Sequence, residues 1–184
     1  TNDHQAIQER YLEEECEVYV EGRYAIGEHE FHLNGRVDLL LEREGQWNVG
    51  EIKSTTRPLD AIIPGDRPTH LAQAKVYAYL LLCEHPEWEQ VLVRLIYCDL
   101  EGVQTRQIDE MYTKEELEPF MEQTLQIYLK WYLILVRSMT LKLKSAKSFT
   151  FPFGDFRSYQ RELSASVYHC IKERKQLLLR APTG

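Results

Sequence analysis

The stretch from Gly35 to Ser54, GRVDLLLEREGQWNVGEIKS, sets charge inside apolar strands. Two runs rich in Val, Leu, Ile and Trp are separated by the turn-like REGQ, the pattern of adjacent strands. Asp38 lies in the first run, and Glu51 and Lys53 follow in the second, thirteen and fifteen residues later. Alternate strand residues point to one side of a sheet, so Glu51 and Lys53 share a face. A charge in a buried strand is costly unless something pairs with it, and a divalent cation between two carboxylates removes that cost for the acids. The rival reading of Glu-x-Lys is an alternating strand that shows two opposite charges to water.

The flanking sequence places this pair of strands in a larger fold. From Asp3 to about Glu15, Ile7, Tyr11 and Leu12 recur at helical spacing, with His4 on the same face. CEVYVE and RYAIGEHEFHL precede Gly35, so residues 16–54 predict three or four strands in a meander. TTRPLDAIIPGDRP carries three prolines and reads as a loop. A helix from Thr69, as N-cap, to Cys83 comes next, then strands in QVLVRLIYCD and VQTRQIDEM around a turn at Glu101-Gly102. In T-K-E-E, Thr113 opens a capping box for a helix that runs to about residue 139. This order predicts an α/β sandwich, a central mixed β-sheet flanked by helices. With 43% hydrophobic and 28% charged residues, the chain has the composition of a packed domain and not of a disordered one.

The embedded charges suggest a chemistry. Carboxylate oxygens suit magnesium or manganese. A metal held by Asp38 and Glu51, with the backbone carbonyl of Ile52, would polarise a phosphate ester and acidify a bound water. Lys53 beside it would orient that water and counter the charge growing on phosphorus. Phosphodiester hydrolysis is the reaction these groups suit, with Mg2+ or Mn2+ as the expected cofactor.

Taken in order, G-R-V-D, E-I-K and Q-A-K-V-Y resemble the RecB-like branch of the PD-(D/E)XK nucleases. The resemblance implies the restriction-endonuclease-like sandwich and a nuclease site in which Asp38, Glu51 and Lys53 are catalytic. Its third motif, Q-x-x-x-Y, is matched by Gln73 and Tyr77, one helical turn apart and so on one side of their helix. Gln73 would support the site or touch DNA, with Tyr77 beside it; surface and packing roles are the alternative. The family also places a metal-ligand histidine on its first helix, and His4, four residues before Gln8, is the match, a structural histidine being the rival reading. Arg57, Arg67 and Lys75 are candidates for contacts to the DNA backbone. His29 and His32 are spaced for opposite strand faces and read as solvated hairpin residues, and His70 and His85 as capping or surface groups.

The net charge of -7 conceals a gradient: residues 1–60 carry 14 acids and 6 bases, residues 130–184 carry 3 acids and 11 bases. The C-terminal third is thus the better candidate for holding phosphates, unless the two charge sets simply neutralise each other across the fold. Cys16, Cys83, Cys98 and Cys170 form no C-x-x-C pair, which argues against a zinc or iron-sulfur site and for reduced thiols in a cytoplasmic protein. No run of 18 apolar residues suggests a membrane partner.

Domain boundaries are expected at 1–140 for the nuclease, 141–154 for a basic irregular linker and 155–184 for a further piece. That last piece combines an Arg157-x-x-Gln160 helix of about Ser158 to Arg174 with an apolar strand, QLLLRA, that ends in A-P-T-G. It resembles the start of a superfamily 2 DNA helicase of the Rad3/DinG kind. There Arg157 and Gln160 would recognise adenine, and Ala181, Pro182, Thr183 and Gly184 would begin the phosphate loop. The resemblance implies ATP as a cofactor of a longer parent chain with a helicase motor, while an added helix and strand of the nuclease fold is the rival reading. The function expected is a metal-dependent DNA nuclease acting on single-stranded ends or flaps in repair or recombination. Its alternative is a nuclease-like module that binds DNA or a partner without cutting.

Overall fold

The computed structural model describes residues 2–12, 15–65, 68–100, 104–150 and 154–180, the side chains of residues 2–4 excepted. A short helix α1 (Asn2–Gln8) leads into three consecutive strands, β1 (Cys16–Ile26), β2 (His29–Arg43) and β3 (Gln46–Ser54). A single 3-10 turn (Leu59–Ala61) interrupts the loop before α2 (Pro68–Glu84), β4 (Val91–Cys98) and β5 (Thr105–Tyr112). Two helices follow, α3 (Lys114–Lys147) and α4 (Gln160–Lys172). The described residues fall into two compact units, residues 1–133 and 134–184.

Five strands form one sheet in the order β1-β2-β3-β4-β5. Every neighbouring pair is antiparallel except β3 and β4. Antiparallel strands can be joined by tight turns, whereas a parallel pair needs a crossover, and α2 supplies it. Between β2 and β3 the REGQ segment closes Arg43 on Gln46, with positive φ at both central residues, Glu44 (55°) and Gly45 (79°). Two such residues are the signature of the turn whose twist matches a hairpin.

Each face of the sheet has its own core. On one side Val20, Val37, Val49, Val91 and Val93 pack with Ala74, Ala78 and Leu81 of α2 and with Leu117, Met121 and Leu125 of α3. Ile7 of α1 covers the other side with Leu39, Leu41, Ile52, Ile96 and Cys98. The expected mixed sheet flanked by helices is therefore the observed architecture.

Several boundaries differ from those read in the sequence. Helix α1 ends at Gln8, well short of residue 15. Pro68, not Thr69, opens α2, because a first-turn N–H has no helical acceptor and proline lacks one to lose. The Thr113 box forms as expected: the Thr113 N–H donates to Glu116 Oε2 (2.9 Å) and the Glu116 N–H to Thr113 Oγ1 (3.3 Å). Helix α3 then continues to Lys147, so residues 141–147 are helical instead of irregular. Leu, Lys and Ala dominate that stretch, and all three favour a helix. Residues 175–180 form no strand, as a lone segment without a ladder neighbour cannot satisfy its backbone groups. The expected turn at Glu101-Gly102 lies outside the described residues.

Glu118 of α3 ties the helix layer together by accepting hydrogen bonds from two phenols, Tyr24 of β1 (2.9 Å) and Tyr79 of α2 (2.6 Å). Burial, reinforced by the Glu118 carboxylate, pushes Tyr24 up to about 12 and Tyr79 higher still. Both shifts favour the protonated phenols of the folded state. Each contribution is therefore complete below the ordinary phenol value of about 10 and declines above it, that of Tyr24 being lost as the pH climbs through 12 and that of Tyr79 only beyond it. We expect Glu118→Ala to lower stability by roughly 1–3 kcal/mol, the cost of stranding buried hydroxyls, measured by urea unfolding. The parent should also lose stability above pH 10, and a variant that melts like the parent at neutral pH would refute the assignment.

Candidate active site

Strand β2 turns over at Asp38. Val37 packs in the core under α2, yet Leu39, two residues on and normally on the same face, packs in the core under α1. Opposite this point on β1 stands Glu17 with a φ of 53°, and the β1–β2 ladder pairs Val18 with Val37 and Cys16 with Leu39 around it. A local break of this kind re-aims a side chain.

The β2–β3 ladder ends at the pair Leu39 and Gly50, and one step further the register sets Asp38 across from Glu51. There the side chain takes over from the backbone: the Ile52 N–H donates to Asp38 Oδ2 at 2.7 Å. Asp38 is thereby anchored to the residue next to Glu51. From the first helix, Gln8 Nε2 donates to the Asp38 carbonyl (3.3 Å) and to Glu17 Oε1 (2.9 Å), bracing the break from behind.

Alternation along β3 gives Ile52 to the α1 core and leaves Glu51 and Lys53 facing α2. Glu51 is 1% exposed and forms an ion pair with Lys53, whose ammonium also donates to Gln73 Oε1 (3.2 Å). Gln73 Nε2 in turn donates to the Tyr77 hydroxyl (3.4 Å). The Tyr77 ring lies against Gly35, where an added Cβ would sit 2.7 Å from both Cε1 and Oη. Gly35 is thus bare because Tyr77 occupies the space a side chain would need.

Of the residues singled out in the sequence, Glu51, Lys53, Gln73 and Tyr77 form one hydrogen-bonded chain, and Asp38 is bonded to Ile52, the residue between Glu51 and Lys53. Lys75 does not: its ammonium lies over the Tyr112 and Phe120 rings, 4.5 and 5.6 Å from their centroids, away from Gln73. Arg57 stands in the loop after β3 and donates to the Ala61 carbonyl (3.2 Å). Arg67 and the side chain of His4 lie outside the described residues, as do Ala181, Pro182, Thr183 and Gly184. Gln160 Oε1 accepts the Arg157 N–H at 3.0 Å, joining the two residues of that motif at the start of α4. His32 pairs with Glu30 and His85 stacks on Trp88, both as surface groups, while His70 faces the Tyr97 hydroxyl at 3.2 Å. Gln8, which braces Asp38 and Glu17, was not among the candidates.

A model of the PD-(D/E)XK nuclease superfamily matches residues 1–164. The chain belongs to this superfamily. No curated protein matches the chain. Among solved structures, a crystal structure of SSO0001 is similar at 20% identity and a TM-score of 0.40, over 61% of this chain. The chain spans half the length of that protein, and so loose a likeness carries no argument.

PD-(D/E)XK nucleases generally use divalent metals, and the donor set here fits one. Asp38 and Glu51 present carboxylate oxygens from facing strands, Glu51 is nearly inaccessible, and two acids against one lysine leave an excess of negative charge. No cluster of three or more His, Cys, Asp or Glu side chains that could hold a metal ion occurs among the described residues. No helix among the described residues is long and apolar enough to cross a membrane.

Proposed function

We propose that this domain is a Mg2+- or Mn2+-dependent deoxyribonuclease with Asp38, Glu51 and Lys53 at its centre. The observation that carries the proposal is the Asp38 carboxylate held by the Ile52 N–H (2.7 Å), next in sequence to Glu51, which is paired with Lys53. Asp38, Glu51 and the Ile52 carbonyl would hold the cation, with His4 as a further candidate ligand. When bound, such a cation supplies Lewis-acid polarisation of the phosphodiester and a more acidic water.

The remaining work falls to the chain itself. The Lys53 ammonium orients the attacking water and stabilises the negative charge that develops on the phosphoryl oxygens. Gln73, hydrogen-bonded to Lys53 and Tyr77, restrains the ammonium between substrate and Glu51. The Ile52 N–H fixes the Asp38 carboxylate, so both acids keep their spacing without substrate.

DNA is the substrate we favour, taken up as single-stranded ends or flaps in the cytoplasm. Residues 155–184 support a link to a Rad3/DinG-type helicase motor, with roles in repair or recombination, through the Arg157-x-x-Gln160 and A-P-T-G elements and the basic C-terminal third. The test is incubation of the chain with end-labelled single-stranded and duplex DNA, with and without manganese. Cleavage that requires the metal is the expected result. DNA retention without cleavage, together with no manganese binding in a calorimeter, would instead identify a non-cutting binding module.

A further inference from the structure

Just past Lys53 the sheet opens into a cavity of about 310 Å3 at the carboxyl ends of the parallel strands β3 and β4. Its wall includes Ser54, Thr55, Thr56, Arg57, His70 and Tyr97, together with Ile62 and Leu100. Among the described residues no carboxylate lines it; Asp99 lines an adjoining hollow that shares Thr55, Thr56, Arg57 and Leu100 with it.

The backbone of this wall is held in place. The Thr55 N–H donates to the Cys98 carbonyl (2.9 Å), the Arg57 N–H to Thr55 Oγ1 (3.0 Å), and Arg57 Nη2 to the Ala61 carbonyl. The guanidinium is therefore positioned before any ligand arrives. His70 stands in the first turn of the 17-residue helix α2, where the helix dipole favours anions.

Position along the elements identifies the ligand. Thr55 lies two residues beyond Lys53, about 6.6 Å along the strand. His70 lies three residues before Gln73, about 4.5 Å along the helix. Both displacements run the same way from the Lys53–Gln73 contact, which sets the cavity beside it.

Resting on the nuclease reading above, we propose that this cavity binds the phosphate next to the scissile one on the substrate strand. Hydroxyls and a guanidinium recognise phosphate oxygens whether the group is an internal diester or a terminal monoester.

The test uses oligonucleotides with a single uncharged methylphosphonate placed in turn at each position around the cleavage site, and a set with and without a 5′-phosphate. Parent, Arg57→Ala and Arg57→Lys are compared by cleavage kinetics with manganese, and by fluorescence anisotropy of the same strands in EDTA. We expect Arg57→Ala to weaken binding and raise KM about tenfold while kcat changes little, with partial recovery in Arg57→Lys. Neutralising one flanking phosphate should weaken the parent by a similar factor and leave Arg57→Ala unaffected. If removal of the 5′-phosphate alone reproduces the effect, the cavity holds a strand end; if an internal methylphosphonate does, the strand runs through. Equal penalties for parent and variant at every position would overturn the proposal. A parent that binds with this pattern in EDTA but never cuts would refute the nuclease reading and leave the cavity assignment standing.

Discussion

Asp38→Asn should lower metal-dependent DNA cleavage by about a hundredfold or more while leaving the unfolding midpoint close to that of the parent. The asparagine keeps an oxygen that can accept the Ile52 N–H, so the strand junction survives, but the negative charge that draws a cation is gone. Lys53→Ala should lose activity on the same scale and behave differently in the melt. It takes the ammonium away from a carboxylate that is 1% exposed, and we expect it to lower stability by roughly 1–3 kcal/mol, moderated because Lys53 itself is 25% exposed. Single-turnover cleavage of labelled DNA and urea unfolding of both variants separate the two effects. Parent-level cleavage by Asp38→Asn would end the catalytic assignment.

The second large effect is steric. Gly35→Val places a Cβ where Cε1 and Oη of Tyr77 each stand 2.7 Å away. The Tyr77 ring must shift, moving the hydroxyl that accepts from Gln73, and overpacking of this kind costs roughly 1–3 kcal/mol. We expect lower stability together with slower cleavage. Adding Tyr77→Ala to Gly35→Val should recover stability without recovering rate. Were the double variant no more stable than Gly35→Val alone, strain against the ring would not be the cause.

These two variants also mark what could be read from the chain alone. Asp38, Glu51 and Lys53 were legible because a hairpin and a period of two are local rules, and nothing distant is needed to apply them. The Gln73 and Tyr77 spacing was legible for the same reason on a helix. The reason for Gly35 was not, since it depends on a ring 42 residues away on a different element.

Glu17 was hidden more deeply. A glutamate gives no hint of left-handed backbone, and only the meeting of β1 and β2 at Asp38 requires it. Lys75 shows the opposite case, where a local rule went unused: two residues along a helix from Gln73 is a rotation of about 200°, enough to send it to the far side. Residues 141–147 combine high charge with high helix propensity, and the propensity sets their local structure.

The pairing of Lys53 with Glu51 has a bearing on how such a domain comes to exist in a cell. Small metal domains whose ligands have no other partner stay unfolded until the ion is supplied. Here an ammonium built into the next alternate position serves as resident counter-ion, so the nascent sheet can close around its buried acid unaided. Under the metal-dependent reading proposed above, maturation and ion supply would be uncoupled: metal scarcity would silence the chemistry while the scaffold stays folded.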